Sequence, residues 1–281
     1  MKSNKNKVAF LGPSGTFSEA AGLYFVANSD LKLVPYETIF DAIKAVENEE
    51  TEKAVVPIEN SIEGSITTTM DLLVNSDVLI EKEIDLPIVN NLLVLPGAKI
   101  SKITDVISHP QPIAQCQNFL RTTWPKVNTH KADSTADAAS LVAKWKKPNF
   151  AAIGHANLAK LYGLEIAASN INDYKGNMTR FVVIGQDQPK PSGKDKTSMV
   201  FSLAKDQPGS LYKVLGEFAK RKLNLTKIES RPAKKEIGDY LFFIDLEGSV
   251  QDKSVAEALE IVQDTASFFK LLGSYPKGVV I

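Results

Sequence analysis

The sequence predicts two units, a large α/β unit of parallel strands covered by helices and a smaller α+β unit. Three observations lead there. Short apolar runs alternate with helix-period stripes through most of the chain, the pattern of strands that must be buried on both faces. The stretch QDQPKPSGKDKT, residues 186–197, then interrupts with proline, glycine and charge, as an exposed joint does. Beyond it, strands and helices resume in the order βαββαβ.

In the large unit the strands are VAFLG, LKLVPY, AVVPIE, NLLVLPG, DVISH, AAIGH and RFVVIG. Between the second and third, Ile39, Ala42, Ile43 and Val46 recur at three- and four-residue spacing, which puts one apolar helix stripe against a sheet. In the small unit SMVFSLA, LTKIES and DYLFFIDLEG are strand-like. Leu211, Val214, Leu215, Phe218 and Ala219 mark one helix face, and VAEALEIVQDTASF reads as the second helix.

Composition narrows the function. With 281 residues, 43% hydrophobic and 23% charged, the chain can bury two cores. Lys+Arg 33 balances Asp+Glu 33, so no overall field draws it to nucleic acid or to an anionic membrane, and a small-molecule partner is expected. No apolar run approaches the roughly 18 residues that span a bilayer. The N-terminus MKSNKNKVAFLG lacks a signal-peptide pattern and the single Cys116 has no partner for a disulfide, so the expected location is cytoplasmic.

Small polar residues gather where strands end. GPSGTFSEAA enters a helix with Thr16 or Ser18 as cap; the free N–H groups of such a turn suit either an anion or simple capping. It is no nucleotide loop, because GxxxxGK[ST] spacing is absent. PIENSIEGSITTTMDLL repeats the arrangement, with Glu59, Asn60, Ser61, Gly64 and Ser65 ahead of a helix. In SHPQPIAQC, Ser108 closes a strand and Gln115 lies on the following helix. His109, His130 and His155 have no ligand-like neighbours, so no metal site is expected. Cys116 reads as a buried small hydrophobe, and no nucleophile elbow is present.

GPSGTFSEAA, PIENSIEGS, SHPQPIAQC, STADAA, AAIG and NMTRFVVIG occur in the order and spacing seen in prephenate dehydratases, and the chain resembles that family over roughly residues 7 to 273. After the joint, DQPGSLYKVLGEFAKRKLNLTKIESRP is similar to the ACT regulatory domain that follows the catalytic unit in the family. The resemblance implies decarboxylating dehydration of prephenate to phenylpyruvate, on the route to L-phenylalanine, with no cofactor and with feedback inhibition by L-phenylalanine. It implies a two-lobed catalytic domain over residues 7–186, similar to type II periplasmic binding proteins, with lobes at 7–83 plus 167–186 and at 84–166. A linker at 187–196 and a ferredoxin-like ACT domain at 197–274 follow. ACT domains pair side by side, so a homodimer or homotetramer is implied. The rival reading is a non-catalytic amino-acid-sensing or solute-binding module of the same two-lobed fold, which calls for a signal peptide or a helix-turn-helix.

The family's TRF motif falls on Thr179, Arg180 and Phe181. The resemblance makes Thr179 the hydrogen-bond donor to the departing ring hydroxyl and Arg180 the residue that aligns the dianionic substrate. In an extended strand the two point to opposite faces, so either Thr179 lies in the preceding loop or Arg180 serves the fold. Thr16, Asn60, Ser61, Ser65, Ser108 and Gln115 fall on the matching polar positions as substrate-orienting residues, and Glu59 is left structural. GSLY (209–212) and ESRP (229–232) resemble the family's effector segments and nominate Gly209, Ser210, Leu211, Asn224, Leu225, Glu229 and Ser230. GSLY departs from the usual GALV, which leaves the effector's affinity open.

Overall fold

The structure, a computed structural model, describes residues 6–203, 207–233 and 239–280. The chain begins with β1 (Lys7–Leu11), α1 (Phe17–Val26), β2 (Lys32–Tyr36), α2 (Ile39–Glu47), β3 (Lys53–Asn60), β4 (Gly64–Ser65), α3 (Thr67–Asn75) and β5 (Leu79–Pro87). It crosses to a second lobe made of β6 (Asn91–Val94), β7 (Asp105–Ser108), α4 (Pro110–Gln115), α5 (Gln117–Thr123), β8 (Asn128–Lys131), α6 (Thr135–Trp145), β9 (Phe150–Gly154), α7 (Asn157–Tyr162) and β10 (Glu165–Ala168). It returns to the first lobe as β11 (Met178–Gly185).

The remaining elements are β12 (Asp195–Leu203), α8 (Ser210–Lys220), β13 (Leu225–Pro232), β14 (Tyr240–Glu247), α9 (Lys253–Thr265), β15 (Ala266–Pro276) and β16 (Val279–Val280). Ala204, at the end of the expected first strand of the small unit, lies outside the described residues. The second helix stops at Thr265, short of the expected Phe268, because Ala266 onward pairs with β12.

Each large sheet has a parallel centre and antiparallel additions. In the first, ordered β16-β5-β11-β3-β1-β2, β1 is parallel to both neighbours, while the return strand β11 runs antiparallel to β3 and β5. In the second, ordered β10-β6-β9-β7-β8, β7 is parallel to β8 and β9, and β6 is antiparallel. The all-parallel expectation therefore holds only for strands joined by helices; strands that cross between lobes enter reversed.

Alternation along the first sheet divides its two faces. Val8, Val55, Phe181 and Val183 pack with Ala21 of α1, whereas Ala9, Val56, Val182 and Ile184 pack with α2 and α3. This second face continues into the small unit, since Val200, Phe243, Leu272 and Tyr275 belong to the same core. Gly273 allows that approach: a Cβ there would stand 2.3 Å from the carbonyl oxygen of Ile80. The chain then passes back, and β16 pairs parallel with β5. Helices α8 and α9 cover the other face of the β13-β14-β12-β15 sheet through Phe201, Phe218, Ile244 and Val262.

Candidate active site

A cleft of about 1170 Å³ opens between the lobes. Four helices of nine residues or more begin on its wall: α1 at Phe17, α2 at Ile39, α3 at Thr67 and α6 at Thr135. The sequence sets these starts locally. Thr16 accepts from the Glu19 amide at 3.4 Å and Ser134 from the Asp137 amide at 3.0 Å, each filling one orphan donor of its helix. Helix α3 begins after Ile66 with no side-chain cap, which leaves its first N–H groups for something else. No lysine or arginine is among the described residues lining the cleft; its charged lining is Glu37, Glu63, Asp133 and Asp137. A bound anion is therefore met by helix ends, hydroxyls and amides rather than by a side-chain cation.

At the floor Thr179 faces the cleft and is only 8% exposed. It is the second residue of β11 and pairs with Asn60, the last residue of β3. Asn60 Nδ2 donates to Thr179 Oγ1 at 2.9 Å, and to Asn177 Oδ1 at 2.9 Å. Asn60 Oδ1 accepts from the Ile62 and Glu63 amides at 3.0 and 3.2 Å, which fixes the amide's orientation. The threonine oxygen thus receives a hydrogen bond from behind, and its own proton remains to be given into the cleft. Asn177 extends the network to the other lobe, donating to Gln115 Oε1 at 3.0 Å. Gln115 lines the cleft, and its Nε2 is buried without a partner among the described residues.

Above this floor the lobes touch. The Phe17 and His155 rings meet edge to face at 4.9 Å, and burial lowers the His155 pKa. Gly15, at φ 90°, lies so close to α7 that a Cβ would be 2.3 Å from Leu158 Cδ2.

Thr16, Asn60, Ser65, Gln115 and Thr179 of the expected site residues line the cleft; Ser61, Ser108 and Arg180 do not. Ser108 is fully buried and donates to the Ile153 carbonyl at 2.7 Å, tying β7 to β9. Ser61 accepts from the Met178 amide at 2.9 Å and so stitches the β3 turn to β11. Ser65 lines the cleft, but its hydroxyl is engaged by Glu229 and Lys227 of the small unit. The residues that sequence reasoning left unassigned are Asn177, in the same NMTRF stretch, and His109, Gln111, Ser134 and Thr135, which also line or frame the cleft.

Arg180 requires the clearest correction. Its guanidinium sits on the reverse face of β11, with Nη1 at 2.7 Å from Asp245 and 3.1 Å from Glu83 and Nη2 at 2.9 Å from Glu59. Burial pulls the Arg180 pKa down, but Asp245, with Tyr275 and Glu83, outweighs it and keeps the charge fixed. Burial alone would raise the Asp245 pKa; the Arg180 charge and a 2.6 Å bond from Ser198 hold it below the usual aspartate value. The alternation of a strand is the physical reason: with Thr179 toward the cleft, Arg180 must face the small unit.

This cleft and the appended sheet match a known pair of domains. The prephenate dehydratase family model matches residues 8–189, and the ACT domain model matches residues 198–263. The chain belongs to the prephenate dehydratase family. The prephenate dehydratase of Methanocaldococcus jannaschii is 42% identical over 277 residues, covering 96% of this chain and 97% of that one. The bifunctional chorismate mutase/prephenate dehydratase of Aquifex aeolicus is also 42% identical, over 276 residues, 98% of this chain and 75% of that protein. Among solved structures, the prephenate dehydratase of Arthrobacter aurescens in complex with L-Phe has a TM-score of 0.89 at 35% identity, covering 96% of this chain and 90% of that one.

Within the ACT domain, Gly209 caps α8 with φ 86°, followed by Ser210 and by Leu211, which packs on the domain core. Asn224 directly precedes β13, Leu225 opens it, and Ser230 lies on its exposed side. Glu229 departs from the expected effector role, because its carboxylate reaches Ser65 of the catalytic lobe.

Proposed function

We propose that Thr179, held by Asn60, is the group through which this chain converts prephenate to phenylpyruvate, carbon dioxide and water. The reaction class follows from family membership; the residue roles are read from the cleft. The bond from the ring to its carboxylate breaks, its electron pair moves through the ring as it becomes aromatic, and the C–O bond to the ring hydroxyl breaks at the far end. Thr179 Oγ1–H donates a hydrogen bond to that departing oxygen, which leaves with hydroxide character and takes the proton that completes water from solvent. A donor positioned this way contributes on the order of 100- to 10,000-fold. Threonine is a weak acid, and it serves here as a hydrogen-bond donor strengthened by a site that excludes water, not as a source of free protons.

The substrate is a dianion, and the N–H groups at the starts of α3, α1 and α6 take its carboxylates. Gln115 Nε2, a buried donor with no protein partner among the described residues, provides a further contact from the second lobe. The observation that carries this reading is the Asn60–Thr179 bond at 2.9 Å, which aims the hydroxyl proton into the cleft. L-Phenylalanine acts as effector through the ACT domain, a reading supported by the relative whose structure holds L-Phe. No cofactor takes part, the protein works in the cytoplasm, and it assembles as a homodimer or homotetramer through its ACT domains. The test is direct: purified protein given prephenate produces the ultraviolet absorbance of phenylpyruvate, and added L-phenylalanine suppresses it. A folded protein that leaves prephenate unchanged refutes the proposal.

A further inference from the structure

Strand β13 carries the effector-like ESRP segment, and its two faces have different neighbours. Thr226, Ile228, Ser230 and Pro232 point to the exposed side. Lys227, Glu229 and Arg231 alternate onto the catalytic lobe. Glu229 and Lys227 both engage the hydroxyl of Ser65, and Lys227 also lies 3.3 Å from Glu59. Arg231 donates to the Thr67 carbonyl at 3.0 Å and pairs with Asp71 at 3.2 Å. One strand therefore grips Ser65, two residues before α3, the helix's first residue and its second turn.

The same helix is held at its other end. Lys270 of β15 donates to the carbonyls of Leu73 at 2.7 Å, Val74 at 3.2 Å and Ser76. These are the orphan acceptors of the α3 C-terminus, where a cation is well placed. The ACT domain thus holds α3 at both ends, while Ser65, Ile66 and Thr67 line the cleft and the N-terminal N–H groups carry no side-chain cap.

We infer that β13 and α3 form the coupling element between effector and substrate: the Lys227, Glu229 and Arg231 face of β13 sets the position of α3, and with it the N–H groups that receive a substrate carboxylate. Effector bound on the other face of β13 shifts the strand and carries the start of α3 away from that position. This rests on the proposed effector role of L-phenylalanine, and adds the route by which binding in one domain is felt in the other. Arg180 and Asp245 tie the same two domains together, but their ion pair lies on the reverse face of β11, away from the cleft that Thr179 faces.

The experiment uses Asp71→Asn and Arg231→Met, two variants that remove the Asp71–Arg231 pair from opposite sides. L-Phenylalanine binding is measured by calorimetry and inhibition by steady-state turnover of prephenate. The inference predicts L-phenylalanine binding within about threefold of the starting protein, with the effector's influence on substrate affinity reduced from the roughly 5- to 150-fold of an ordinary allosteric link to less than about threefold. Reciprocity gives a second reading, because L-phenylalanine affinity in the variants no longer depends on bound substrate. Asp71→Asn keeps the test intact should Arg231→Met fail to fold. Undiminished inhibition in the folded variants overturns the route. Loss of L-phenylalanine binding itself in Asp71→Asn or Arg231→Met also overturns it, since the residue would then belong to the effector site. A starting protein that neither binds nor responds to L-phenylalanine overturns instead the effector reading beneath it.

Discussion

Replacing Arg180 by Met separates the two roles open to this residue. The variant keeps most of the side chain's length and removes its charge. Three acids lose a partner, but unequally. Glu59 is about a third exposed, so its pair contributes little. Glu83 keeps Lys196 at 2.6 and 2.8 Å. Asp245, 6% exposed, keeps the Ser198 hydroxyl at 2.6 Å and loses its closest cation. Leaving such a buried charge uncompensated costs about 3–5 kcal/mol. At about 2–4 °C per kcal/mol for a chain of this order, Tm falls by roughly 6–20 °C. Adding Asp245→Asn to Arg180→Met should recover part of the loss, since the orphaned charge is then gone. Thermal unfolding followed by circular dichroism gives Tm, and steady-state turnover at a temperature where the variant is folded gives KM. The KM for prephenate should change by less than about threefold, because no part of Arg180 reaches the cleft. An unchanged Tm together with a KM raised tenfold or more would refute this placement and return Arg180 to the substrate.

Two further outcomes follow from buried groups. Asp245 has a folded pKa below its unfolded value, so its contribution to stability is complete above roughly pH 5 and is lost as pH falls through the folded value. Urea midpoints measured from pH 6 to 3 should decline, and the decline should be shallower in Asp245→Asn; parallel curves would count against the pair. Cys116 is fully buried, and burial, helped by Asp173, pushes its thiol up to about 12. Ellman's reagent at pH 8 should leave the native protein unlabelled and modify one thiol after denaturation; rapid labelling of native protein would show the helix pair around Cys116 to be open.

Much of this is legible in the sequence alone. The strands AVVPIE and RFVVIG are apolar on both sides, so burial on both faces could be read directly, and the polar residues beside them, Asn60 after the first and Thr179 before the second, could be placed at strand ends. That reasoning nominated Thr179 and Asn60, and both line the cleft. It failed where a short polar residue has a local use as good as a functional one: Ser108 and Ser61 have the right chemistry at the right loop, yet each satisfies a backbone group instead. Alternation warned that Thr179 and Arg180 diverge, but the partner that claims Arg180, Asp245, lies 65 residues away in another domain, and local pattern carries no such pairing. The same limit hid β8, whose NTHK is exposed throughout, and β16, a two-residue strand that exists only because β5 offers it an edge.

The most direct measurement of the central account compares turnover of Thr179→Ala and Thr179→Ser in proteins shown to be folded. Asn60 still offers its amide at the site in both, but only serine restores a proton to the cleft. Thr179→Ala should lose at least about 100-fold in kcat with KM changed far less, the signature of an interaction made in the transition state, and Thr179→Ser should keep most of the lost factor. Near-normal kcat in folded Thr179→Ala would contradict the account and remove the hydroxyl from the chemistry.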